Sequence, residues 1–168
     1  MSIAEGLIPE FDREFASTRK FLALVPDDKL GWKPHAKSME LGRLAWHLSD
    51  FPGYALSVAT KPGLSFNLED MPKRRGVWVG KTREAILERF DTDLKAAREA
   101  LLATPDAAWG ERWTMEFGGR TVIDDTKLAV YRTLAMNHVI HHRAQLGLYL
   151  RLNEIPIPGT YGPSADEM

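Results

Sequence analysis

The sequence predicts an all-α domain: a four-helix bundle with one short β-hairpin and an irregular C-terminal tail. Three observations predict it. Four stretches repeat apolar residues at the three-, four- and seven-residue spacings of a helix. One segment alternates on either side of a glycine pair, and the last stretch, NEIPIPGTYGPSADEM, holds three prolines and cannot be regular helix.

The first helix is expected from about Ile3 to Leu24, with Ile8, Phe11, Phe15 and Leu22 inward and Pro26 after its end. The second begins at Ser38 as N-cap, with Glu40 in the first turn where the helix dipole favours an acid. Leu41, Leu44, His47, Leu48, Phe51, Ala55 and Val58 then recur at helical period. Pro52 lies inside this run, cannot donate to the Leu48 carbonyl, and should kink the helix just after His47. Lys61 to Gly80 reads as a long loop rich in proline, glycine and charge.

The third helix starts after Thr82 as N-cap, turns Ile86, Phe90, Leu94, Ala97 and Leu101 inward, and ends before Pro105. Between Trp109 and Asp124 the run WTMEF, Gly118-Gly119 and RTVI predict a hairpin, which must lean on the bundle to be stable. The fourth helix, about Asp125 to Leu152, is the longest and the most apolar. The whole chain, 1–168, reads as a single domain.

Composition narrows the function. With 22 basic and 23 acidic residues, the formal net charge is −1, so no global field favours nucleic acid or an anionic membrane. No run approaches the roughly 20 apolar residues of a membrane span, and the N-terminus lacks a signal pattern, so a cytoplasmic protein is expected. Cysteine is absent. Disulfides and thiolate ligands are thereby excluded, and any thiol chemistry needs a thiol from outside.

The fourth helix carries apolar residues around most of its circumference, as a central buried helix does. At 100° per residue, Tyr131, His138, His142, Gln145 and Tyr149 nevertheless fall on one narrow strip. His138 and His142, four apart, project one turn apart from one face, a spacing that lets two imidazoles grip one ion. Such a pair also occurs as solvated or hydrogen-bonded histidine. His47 lies on the apolar face of the second helix, where it meets the same core. Three buried imidazoles leave several polar groups to satisfy, and one divalent ion would satisfy a lone pair on each. His141 points away from the strip, towards a role beside the site or at an interface, and His35 lies in a polar, solvated loop.

These residues also resemble a known family. NHVIHHRAQLGLYLRLNEIPIPGTYGPSADE closely resembles the C-terminal half of the DinB-like (YfiT-like) metalloenzymes, and WKPHAKSMELGRLAWHLSDFPGY resembles their second helix and its approach. The likeness covers nearly the whole chain in order. It implies a four-helix bundle of the DinB/YfiT type with a three-histidine metal site, His47, His138 and His142, on zinc or nickel. The family's usual HHRGQL stands here as HHRAQL, with Ala144 for glycine, which leaves all three ligands intact.

The resemblance further implies a metal-dependent S-transferase using an external low-molecular-weight thiol, such as bacillithiol or mycothiol, or a related detoxification or stress enzyme. A metal-dependent hydrolase and a non-catalytic metal or small-ligand binding protein are the alternatives. The zinc-protease pattern His-Glu-x-x-His is missing, since Val139 follows His138. Gln145, Tyr131 and Tyr149 are the candidates for orienting a small-molecule substrate, or else they pack beside the site. The resemblance also implies a homodimer through helix faces.

Three lesser features complete the reading. Lys73, Arg74 and Arg75 form a solvated basic run that could meet an anionic thiol at the site mouth. Trp46, Trp78, Trp109 and Trp113 either form an aromatic lid or pack in the core and hairpin. The turn at Tyr161-Gly162-Pro163 could bring the tail back across the bundle and Asp166 or Glu167 towards a histidine, or else these acids are solvated as terminal acids usually are.

Overall fold

The computed structural model describes residues 2–70 and 77–168, so the basic run at Lys73, Arg74 and Arg75 lies outside the described residues. Helix α1 spans Ile3–Leu22. Ser2 and Glu5 form its capping box: the Glu5 amide donates to Ser2 Oγ at 3.1 Å, and the Ser2 amide donates to Glu5 Oε2 at 2.7 Å. The expected inward residues Ile8, Phe11, Phe15 and Leu22 are all buried.

The second helix departs from expectation at both ends. It begins at Leu41, not near Ser38, because loop carbonyls do the capping: the Leu41 amide donates to Trp32 O and the Gly42 amide to Leu30 O, both at 2.8 Å. Pro52 then divides the predicted helix into α2, Leu41–Ser49, and α3, Phe51–Thr60. The junction is Asp50, still in right-handed helical conformation, so the break falls three residues after His47.

The segment 61–80 is not all loop. Gly63–Phe66 forms strand β1, parallel to β2, Arg112–Phe117, which pairs antiparallel with β3, Arg120–Thr126. The hairpin is therefore the major part of a three-stranded sheet. A side chain at Gly63 would place Cβ 2.4 Å from the Thr114 carbonyl oxygen, so only glycine admits this strand contact. Gly118 and Gly119 turn the hairpin with φ of +55° and +76°, as a two-residue turn of this hand requires. Helix α4, Arg83–Ala103, is capped by Thr82, whose Oγ1 accepts from the Ala85 amide at 3.3 Å, and it buries Ile86, Phe90, Ala97 and Leu101.

The final helical span starts two residues later than expected, because Asp125 and Thr126 finish β3 and Thr126 becomes the cap. It runs through α5, Lys127–Val130, a π-helical segment at Tyr131–Asn137, and α6, His138–Leu152. A π-helical bond reaches five residues instead of four, so the face presented before this segment is rotated relative to the face after it. The core is continuous, from Phe11 and Phe15 on α1 to Leu146 and Leu150 on α6. No helix among the described residues is long and apolar enough to cross a membrane.

The tail is irregular, as predicted, and is held down. Tyr161 OH donates to Glu14 Oε2 at 2.8 Å, and Asp166 accepts from Arg151 at 2.5 Å and from the Ile157 amide at 3.0 Å. Glu167 accepts from the Ser164 amide at 2.9 Å. Asp166 and Glu167 therefore stitch the tail to itself and to α6. Neither approaches a histidine, because both carboxylates find donors nearer to them in sequence.

Candidate functional site

Helix α2 brings His47 to the same place as His138 and His142 at the start of α6. The ring nitrogens of the three lie within 4.8 Å of one another. His138 Nε2 and His142 Nε2 are 3.0 Å apart. The His47 ring centroid stands 5.4 Å from that of His138 and 4.8 Å from that of His142. Phe51, at the start of α3, backs the group with its ring 4.8 Å from His138 and 4.9 Å from His47.

Each imidazole has an outer partner. His142 Nδ1 meets Gln145 Oε1 at 2.7 Å, and an amide oxygen only accepts, so Nδ1 carries the proton and Nε2 presents a lone pair. The Leu134 backbone, within the π-helical segment, hydrogen-bonds His138. Asp50 Oδ2 lies 3.6 Å from His47 Nδ1, a charge contact longer than a hydrogen bond. Burial, then the neighbouring histidines, pushes His138 down from 6.5 to about 4. Burial likewise pushes His142 down to about 4, against the opposing bond to Gln145. Both rings are therefore neutral at pH 7, the state in which an imidazole ligates.

The cluster lies on the wall of a cavity of about 780 Å³. Arg43, Trp46 and Asp50 line it from α2 and its junction, Phe66 and Phe117 from the sheet, and Trp78 from the segment before α4. Asp50 pairs with Arg89 of α4, whose guanidinium lies 4.6 Å from the Trp46 ring centre. Trp109 and Trp113 are core residues with relative exposure of 1% and 0%. The aromatic wall is thus made by two of the four tryptophans considered.

The other expected site residues separate. Gln145 joins the site through His142, and its Nε2 lies 3.0 Å from Nε2 of exposed His141. Tyr131 packs in the core with its ring 5.8 Å from Trp109, and its hydroxyl has no hydrogen-bond partner among the described residues. Tyr149 lies edge-on to Trp32 at 5.5 Å. Neither tyrosine lines the cavity. The π-helical segment explains Tyr131: a strip drawn at 100° per residue does not continue across it. Asp50, Arg89 and Arg43 were missed, although Asp50 and Arg43 stand three after and four before His47, on its side of the helix.

A family model described as the DinB superfamily matches residues 10–146. The chain is 24% identical to the uncharacterized protein YrdA of Bacillus subtilis over 168 residues, covering 97% of this chain and 90% of that one. A solved DinB-like protein of Bacillus cereus superposes with a TM-score of 0.70 at 26% identity, over 94% of this chain and 97% of the other. YjoA, a DinB-like protein of Bacillus subtilis, has a TM-score of 0.66 at 18% identity, with 92% and 96% covered, a likeness of fold.

Proposed function

The chain belongs to the DinB superfamily, and from that premise we propose that it is a metal-dependent thiol S-transferase or related detoxification enzyme. His47, His138 and His142 would hold one divalent transition metal, zinc or nickel. The observation that carries this reading is the convergence of three ring nitrogens within 4.8 Å on the wall of a large cavity. The donor set fits such an ion: all nitrogen, with His138 and His142 neutral at pH 7, and oriented from behind by Gln145, Leu134 and Asp50. Three protein ligands leave a position open, where the ion supplies a Lewis acid that lowers the pKa of a bound thiol or water.

The chain's own groups do the rest. Gln145 holds the His142 tautomer, Asp50 faces His47, and the aromatic wall limits water around the reacting atoms. Among the described residues Asp50 is the only carboxylate lining the cavity, and it is engaged with Arg89. Hydrolysis assisted by a protein carboxylate would need a free one there, so the thiol reading is favoured over that form of hydrolysis. A homodimer belongs to the same proposal, with exposed Leu148 and Leu152 on α6 as its apolar surface. A monomer in light scattering would remove that part.

The test is metal content by plasma mass spectrometry on untagged protein, wild type beside His142→Ala, followed by thiol-consumption assays against a panel of electrophiles. About one equivalent in the wild type, lost in the variant, is expected, with bacillithiol or mycothiol consumed by the loaded protein. No metal in either protein after incubation with zinc and nickel overturns the site. Metal without turnover makes the protein a metal or ligand binder.

A further inference from the structure

Arg43 is the cavity's uncommitted charge. Of the two arginines lining the wall, Arg89 is paired with Asp50, and Arg43 has no ion-pair or hydrogen-bond partner among the described residues. Residues 71–76 contain no carboxylate that could supply one. Arg43 is half-buried and stands about one turn before His47 on the same side of α2, about 6 Å back along the helix axis. A half-buried guanidinium without an acceptor has lost part of its hydration for nothing in return, which is costly unless a ligand completes it. Beside the Asp50–Arg89 pair, Arg43 is therefore a positive charge in the cavity lining without a complement among the described residues.

The surroundings of that charge are apolar and aromatic. Trp78 lies against the neighbouring Gly42, where a Cβ would come within 2.6 Å of the indole, so glycine at 42 lets the ring sit close beside Arg43. In the same lining Phe66 and Phe117 stack at 5.0 Å with an interplanar angle of 29°. A single fork-shaped guanidinium matches a monoanionic carboxylate in bidentate geometry, whereas a phosphate dianion would leave a charge unpaired in this setting.

We propose that Arg43 anchors the carboxylate of the molecule that reacts at the histidine cluster, so that the site takes amphiphilic monoanions. The carboxylate lies one helical turn from His47, and the aromatic or aliphatic body lies against the sheet wall. This rests on the reading of the histidine cluster as the reacting centre, and its test is separable from that of the metal.

The probes are 4-phenylbutyrate and its neutral counterpart 4-phenylbutyramide, titrated by calorimetry into the metal-loaded protein, Arg43→Gln and His142→Ala. The wild type should bind the carboxylate about tenfold or more tighter than the amide. Arg43→Gln should abolish that preference while metal content and amide affinity stay as they were. Arg43→Met, which keeps the aliphatic stem, should do the same and decides the matter if the glutamine variant does not fold. His142→Ala should keep the preference, so an anchor that fails is distinguishable from a metal site that fails. Equal affinities in the wild type, or no binding of either probe, overturn the proposal. So does a preference that survives loss of the guanidinium, since the carboxylate is then held by another group.

Discussion

His142 and Arg143 are adjacent in sequence, both are buried on α6, and the polar clusters they serve are built in opposite ways. Arg143 enters a closed network. Its Nη1 donates to the Glu14 carbonyl at 2.9 Å, and its Nη2 donates to Glu14 Oε2 at 2.7 Å and to Tyr161 OH at 2.9 Å. The Tyr161 hydroxyl donates a hydrogen bond to the same carboxylate. Both charges are 3% exposed at the side chain, and each meets its complement. His142 enters an open one, where two Nε2 atoms face each other across 3.0 Å beside a cavity that also holds an arginine without a partner among the described residues. A buried polar group that is fully satisfied locks helices together, here α1 to α6 and the tail. One left with a lone pair and nothing to share it with is poised for a ligand.

The largest effect that could break this contrast is on stability. Arg143→Met leaves the Glu14 carboxylate buried without its partner and should cost about 3–5 kcal/mol in urea unfolding. Glu14→Leu combined with Arg143→Met should recover most of that loss. A single-variant loss well under 1 kcal/mol would mean that the two clusters do not differ as described.

Acid should separate the two regions by window. His138 and His142 titrate near 4 in the fold against 6.5 ordinarily, so the unfolded chain takes up protons first. Their contribution to the metal-free protein is therefore full above pH 6.5 and is lost as the pH falls from 6.5 to about 4. Burial pushes Glu14 up, but hydrogen bonds from Tyr161 and Arg143 and the charge of Arg143 outweigh it, leaving its carboxyl below the ordinary 4.5. Its contribution is present above 4.5 and is lost only as the pH falls through that lower folded value. Urea midpoints measured from pH 8 to pH 3 should show both losses, and His142→Ala should flatten the first while sparing the second. A slope between 6.5 and 4 that His142→Ala leaves intact would assign that window to other groups.

The open cluster can be sharpened without emptying it. Gln145→Leu frees the His142 ring and should weaken metal affinity about 10- to 100-fold in competition with a chromophoric chelator. Unchanged affinity would reduce the contact to packing. The smallest effect is expected from Tyr131→Phe, which deletes a buried hydroxyl without a partner and should move stability by less than about 0.5 kcal/mol, with metal content unaltered. A large loss of turnover in that variant would return the hydroxyl to the reaction.

Much of this molecule was legible from local pattern. Ile8, Phe11 and Phe15 on α1, and Ile86, Phe90 and Leu101 on α4, are buried as their spacing requires, and Thr82 caps α4. Gly118-Gly119 turns the hairpin. Four positions were misplaced where a non-local contact or an irregular turn decided the outcome. Ser38 lost the capping role to the carbonyls of Leu30 and Trp32, and β1 is only four residues long and exists by pairing with a strand about fifty positions away. Tyr131 left the histidine strip because the π-helical segment changed the rotation between them, and Asp166 found Arg151 instead of a histidine.

The helices, the hairpin and the presence of His47, His138 and His142 on apolar faces follow from local pattern alone, because helical periodicity, caps and turn residues act within a few positions of one another. Tertiary packing settled how closely these three rings approach, that Arg89 engages Asp50 while Arg43 has no partner among the described residues, and that Glu14 closes over Arg143. Those outcomes depend on where distant helices pack, and the energy of a charge depends on which partners that packing brings within a few ångströms of it.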